Sequence, residues 1–89
     1  MEEGGRGMTL YFENSRKQER VIAENLITRK DVYKKINDFL NEHHFKSYYS
    51  RELYKSTEVI FDVGSHTEFF HLKGTEEEVL NFKNEVDAH

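Results

Sequence analysis

The stretch Thr57–Lys73, TEVIFDVGSHTEFFHLK, decides how this chain folds. Two runs rich in aromatic and β-branched residues flank Gly64-Ser65, the pattern of two antiparallel strands joined by a turn. Glycine at the first of two loop positions suits a type II′ turn, and a two-residue loop sets the register. That loop places Val63 opposite His66, Phe61 opposite Glu68, Val59 opposite Phe70 and Thr57 opposite Leu72. On the other face Asp62 meets Thr67, Ile60 meets Phe69 and Glu58 meets His71. A three-residue loop would oppose Asp62 and Glu68, two like charges, so the two-residue reading is preferred. Because side chains alternate along a strand, the register also sorts them. Val59, Val63, Phe70 and Leu72 go to the core; Ile60 and Phe69 go to the opposite face, among Glu58, Asp62, Thr67 and His71.

Upstream, TLYFEN and ERVIAEN around the connector SRKQ read as a first hairpin. Leu10 and Phe12 share one face there, completed by Val21 and Ala23 or Ile22. Thr28-Arg29-Lys30-Asp31 resembles a capping box, and Val32, Ile36, Phe39, Leu40 and His43 follow at helical spacing, predicting a helix over 29–44. SYYSRELY, residues 47–54, reads as a strand before the decisive hairpin. After Gly74, Thr75-Glu76-Glu77-Glu78 is a capping box with acids where the helix dipole favours them. Val79, Phe82 and Val86 form the buried stripe of that last helix, with Leu80 beside it. The expected fold is two-layer α+β, ordered ββ-α-βββ-α, a mainly antiparallel sheet covered by two helices.

At 89 residues the chain has room for one domain, with roughly 60% of its unfolded surface buried. Residues 1–8 read as a flexible leader and 9–89 as the domain. Seven Phe and five Tyr are too many for a disordered acidic segment. The absence of Cys excludes disulfides and thiolate metal sites and suits a cytoplasmic setting. The first residues, MEEGGRG, lack the apolar region of a signal peptide. No apolar run approaches the roughly 20 residues of a membrane span, so no membrane association is expected.

The net charge of −4 is unevenly spread: residues 15–55 hold ten bases and six acids, residues 56–89 two bases and eight acids. In the basic middle, Lys46, Tyr48, Tyr49, Arg51, Tyr54 and Lys55 interleave cations with rings, and Arg29, Lys30, Lys34 and Lys35 extend the charge. Single-stranded nucleic-acid sites combine these residue types. Lys34, Lys35, Tyr48, Tyr49 and Arg51 are therefore the candidates for a nucleic-acid surface; the alternative is a solvated helix with one tyrosine face in the core. The histidines lack chelating geometry: His66 and His71 point to opposite strand faces, and His43 and His44 are roughly 100° apart on a helix. Neither a metal nor a cofactor is expected.

Two resemblances bear on function. Gly64-Ser65-His66, with Lys73-Gly74-Thr75 opening the last helix, resembles HicA-type ribonuclease toxins, whose Gly-Ser-His leads into a strand of a small double-stranded-RNA-binding-like fold. That likeness implies RNA cleavage with His66 as general base, although here the tripeptide joins the second and third strands of the block. YYSREL followed by VIFDVGSHTEFFHL is similar to small uncharacterised proteins encoded by phages and prophages of Gram-positive bacteria, over about Phe39 to Leu72. This second likeness implies a mobile-element origin and a protein that binds and redirects or inhibits a host protein.

The residues favour a non-enzymatic protein-binding module. Its surface is the sheet face away from the helices, with Ile60, Phe69 and His71 central and Glu58, Asp62 and Glu68 at the edge. The alternative is that the amino-terminal hairpin, or a second copy of the chain in a homodimer, covers this face. Binding to nucleic acid and HicA-like RNA cleavage are the competing functions.

Overall fold

The computed structural model describes residues 7–43, 51–63 and 67–87. Its elements follow in the expected order: β1 (Met8–Glu13), β2 (Glu19–Leu26), α1 (Arg29–Glu42), β3 (Arg51–Tyr54), β4 (Glu58–Asp62), β5 (Phe69–Lys73) and α2 (Glu76–Asp87). The strands form one sheet in the order β2-β1-β5-β4-β3, and every neighbouring pair is antiparallel. The α+β class is as expected; the spatial order, with β1 inserted beside β5, is new.

Local chemistry explains the boundaries. Asn14 organises the first turn: its Oδ1 accepts from the Arg16 and Gln18 N–H groups at 2.9 and 3.0 Å, while Lys17 takes φ 66°. Thr28 caps α1 by accepting from the Asp31 N–H at 3.1 Å. Both halves of the second capping box form, with Thr75 N–H donating to Glu78 at 2.9 Å and Glu78 N–H to the Thr75 hydroxyl at 3.1 Å. Helix α1 ends at Glu42 with His43 as its C-cap, two residues short of the expected end. His43 is exposed, stacked on Phe39 at 4.2 Å between ring centres. The expected strand over 47–54 is described only as Arg51–Tyr54; Tyr48, Tyr49, His44 and the Gly64-Ser65-His66 turn lie outside the described residues.

Three expectations are corrected. The register of β4 and β5 differs by two residues: Glu58 pairs with Lys73, Val59 with Leu72, Ile60 with His71, Phe61 with Phe70 and Asp62 with Phe69. A shift of two keeps every side chain on its expected face, whereas a shift of one would have inverted the strand. The observed register sets two fully buried rings together where the two-residue loop would have set Phe61 against Glu68, and it pairs Glu58 with a lysine. In the first hairpin, Ala23 partners Leu10 but Val21 partners Tyr11, because the register shifts between them. The bulge leaves Ile22 packed with Ala23 against the core and turns Val21 outward, 47% exposed. Finally, the domain starts before residue 9. Met8 is 2% exposed, and the Gly7 N–H donates to Glu78 at 2.8 Å. Gly7 has φ +90°, and a Cβ there would come within 2.6 Å of the Asn25 Cα.

Both helices lie on one side of the sheet. Val32, Ile36, Phe39 and Leu40 of α1, and Val79 and Phe82 of α2, join Leu10, Phe12, Val59, Phe61, Val63, Phe70 and Leu72 in one buried cluster. Phe12 lies 4.6 Å from Phe39 and 5.3 Å from Phe70, while Phe61 meets Phe82 and Tyr33 edge-on at 6.2 Å each. Such pairs add about 0.5–1.5 kcal/mol each beyond burial. Leu80 is 55% exposed, off the stripe of α2; the Val86 side chain lies outside the described residues.

Candidate functional site

With both helices on one side, strand alternation assigns Thr9, Tyr11 and Glu13 of β1, Glu19 and Val21 of β2, and Arg51 and Leu53 of β3 to the other face. Glu58, Ile60 and Asp62 of β4 and Phe69, His71 and Lys73 of β5 share it. Ile60, Phe69 and Tyr11 are half-buried, and Leu53 is 42% exposed. The structure thus brings together Ile60, Phe69, His71, Glu58 and Asp62 as the hairpin implied. It adds Tyr11, Glu13, Glu19 and Lys73 because β1 lies beside β5. Glu68 precedes β5 and is half-buried.

Two of these residues differ from their expected roles. Asp62, expected at the edge, is only 3% exposed. His71, expected at the centre of the surface, is only 9% exposed and forms its floor. Its Nε2 is 2.6 Å from Glu13 Oε1, and its Nδ1 is 3.6 Å from Glu58 Oε1. Lys73 crosses the Tyr11 ring at 4.7 Å and reaches Glu19 at 3.4 Å.

The residues considered for nucleic acid do not converge among those described. Lys34 and Lys35 are on the solvent side of α1, and Lys34 pairs with Asp38 at 3.2 Å. Arg51 belongs to the opposite face of the sheet, across from Asp62 in the register. Arg29 is drawn inward. Its guanidinium pairs with both carboxylate oxygens of Glu52 at 3.0 and 3.1 Å, donates to Tyr33 and Tyr54, and reaches the Phe82 carbonyl at 3.2 Å through Nε. The Tyr33 and Tyr54 hydroxyls both donate to Glu52, and the Phe82 ring lies 4.2 Å from the Arg29 Cζ. This clamp ties α1, α2 and β3 together. Glu52 and Tyr54 alternate with Arg51 and Leu53, so the four-residue strand holds the clamp inward while facing solvent on the other side.

Burial would raise the Glu52 carboxyl, but hydrogen bonds from Arg29, Tyr33 and Tyr54 and the Arg29 charge outweigh it and hold Glu52 below the usual carboxylate range. Tyr54 is pushed up to about 12, first by burial and then by its bond to Glu52. A tyrosine raised from about 10 in the unfolded chain contributes stability that is complete below that pH and is lost as pH rises through the folded value. Alkaline titration followed by near-ultraviolet absorbance will therefore show a late tyrosine ionisation that Tyr54→Phe removes, with unfolding accompanying it.

Two open grooves lie among the described residues. One of about 350 Å³ lies between Gly7, Met8, Leu26 and the first turn of α2. The Glu78 carboxylate there is engaged by the Gly7 and Thr75 N–H groups. The other, of about 370 Å³, is bordered by Phe12, Phe39, Arg20 and His43. No described helix is long and apolar enough to cross a membrane. Compared with family models, with curated proteins and with solved structures, the chain matches none.

Proposed function

We propose that the chain is a non-enzymatic protein-binding module whose contact surface is the helix-free face of the sheet. The observation that carries this reading is the composition of that face. Tyr11, Leu53, Ile60 and Phe69 form apolar ground on the side that neither helix packs against. Aromatic and aliphatic anchors within a polar border are the usual make-up of a contact surface. The border here is mostly acidic: Glu13, Glu19 and Glu58 against Lys73 and Arg51. Like charges disfavour two copies meeting through the same face, so the partner is a different protein with an apolar patch rimmed by lysine or arginine. A modulator of a host protein, as the resemblance to phage-encoded proteins implies, would use such a surface.

Phe69→Asp tests the proposal. Phe69 is half-buried on the outer face, so the variant should stay folded by circular dichroism, within about 1–2 kcal/mol of the parent. It should lose partners captured from cells by the parent chain. Retention of every partner by a folded variant removes Phe69 from the contact surface and the proposal with it. Weakening of the captured complex by salt is expected if the acidic border steers association.

A further inference from the structure

Within the helix-free face, Glu13, Glu19 and His71 each bring one ligand atom to within 4.8 Å of the others. They come from three adjacent strands, and Glu13 stands directly opposite Glu19 in the β1–β2 pair, an arrangement that costs energy without a cation between them. Glu58 approaches the same imidazole from its far side, 3.6 Å from Nδ1. Among the described residues Lys73 is the ammonium that reaches this group, at Glu19.

The surroundings of the histidine suit metal coordination. A neutral imidazole has one N–H donor and one bare acceptor nitrogen. If Nε2 donates to Glu13, Nδ1 becomes an acceptor facing a carboxylate oxygen. Nδ1 is buried and has no hydrogen-bond partner, in a residue only 9% exposed. A metal on Nε2 reverses this arrangement: the Nε2 lone pair coordinates, and Nδ1 carries its proton toward Glu58. Carboxylate–histidine–metal triads are built this way.

We propose that His71 Nε2, Glu13 and Glu19 bind a divalent transition metal of the zinc class, with Glu58 orienting the imidazole. One imidazole with two carboxylates suits zinc, manganese or cobalt better than magnesium or calcium, which favour oxygen alone. Ligand atoms about 2.0–2.2 Å from a zinc ion stand roughly 3–3.5 Å apart. Glu13 therefore draws back slightly and Glu19 swings in from Lys73, both by side-chain rotation. The site does not depend on the protein-binding reading, since it needs no partner.

Calorimetric titration of the chelator-treated chain with zinc chloride, and separately with magnesium chloride, tests the site. One zinc per chain should bind, with magnesium at least a hundredfold weaker. Glu19→Gln, at an exposed position that does not support the core, should weaken zinc at least tenfold, and Glu58→Gln by tenfold or more. Cobalt should give a visible spectrum that His71→Asn abolishes. Absence of stoichiometric zinc binding overturns the proposal. So does zinc binding that both glutamine variants retain, which would place the metal elsewhere. Nitrogen chemical shifts showing both His71 ring nitrogens protonated in the presence of excess zinc would also overturn it, leaving an imidazolium between Glu13 and Glu58.

Discussion

Phe61→Ala will lose about 3–5 kcal/mol of stability. The Phe61 side chain is fully buried, opposite Phe70 in the β4–β5 ladder and edge-on to both Phe82 and Tyr33. Truncation removes its transfer free energy, opens a cavity where sheet and both helices meet, and breaks two aromatic contacts. A small domain holds roughly 5–15 kcal/mol in total, so the variant should approach the unfolding threshold. Urea denaturation followed by far-ultraviolet circular dichroism measures the loss. Leu80→Ala, on the same scaffold but 55% exposed, should change stability by no more than about 0.5 kcal/mol and serves as the control. A loss of less than about 1 kcal/mol at Phe61 would contradict its place at the centre of the core.

The second large effect belongs to Glu52. Glu52→Ala should cost about 3 kcal/mol, the lower end for breaking a buried pair by removing one partner. The side chains of Arg29 and Glu52 are 11% and 18% exposed, so solvent recovers little of the loss. The substitution leaves the guanidinium without its counter-charge and the Tyr33 and Tyr54 hydroxyls without their common acceptor. The pH dependence gives the prediction a distinct signature. Because the Glu52 carboxyl is held below its unfolded value, its contribution is present above about pH 4.3 and disappears as pH falls through the folded value. Parent and variant should therefore differ most near neutral pH and converge in acid. A difference that persists undiminished at the acid end would mean that the loss comes from packing rather than charge.

The clamp shows why part of the molecule could not be read from the chain. Arg29, Tyr33, Glu52 and Tyr54 are separated by up to 25 residues and lie on a helix and an edge strand. In the sequence Arg29 and Tyr54 looked like parts of one cationic, aromatic surface. Their opposite fate follows from Glu52, whose charge is paired only because β3 lies under the start of α1. The alternation Arg51-Glu52-Leu53-Tyr54 did contain a usable signal, since Glu52 shares a face with Tyr54, but nothing in it named Arg29 as the partner.

The hairpin gives the converse lesson. Alternation in VIFDV and EFFHL sorted Phe70 inward and Phe69 outward, and the structure agrees although the register differs by two residues. Parity survives an even shift, so the face was legible where the partner was not. The same limit applies to the acidic rim. Glu13 and Glu19 flank a turn and are close in any hairpin, but their meeting with His71 requires β1 to insert beside β5.

The chain alone thus determined which residues of the β4–β5 hairpin turn inward, where the helices start and in what order the elements follow, because capping, turn chemistry and side-chain periodicity are local. Tertiary structure decided strand order, register, the Arg29–Glu52 clamp and the gathering of Glu13, Glu19, Glu58 and His71 around one imidazole. Those depend on non-local packing: which strand edges pair is chosen by the whole core, with Leu10 and Phe12 set against Leu72 and Phe70 under the helices.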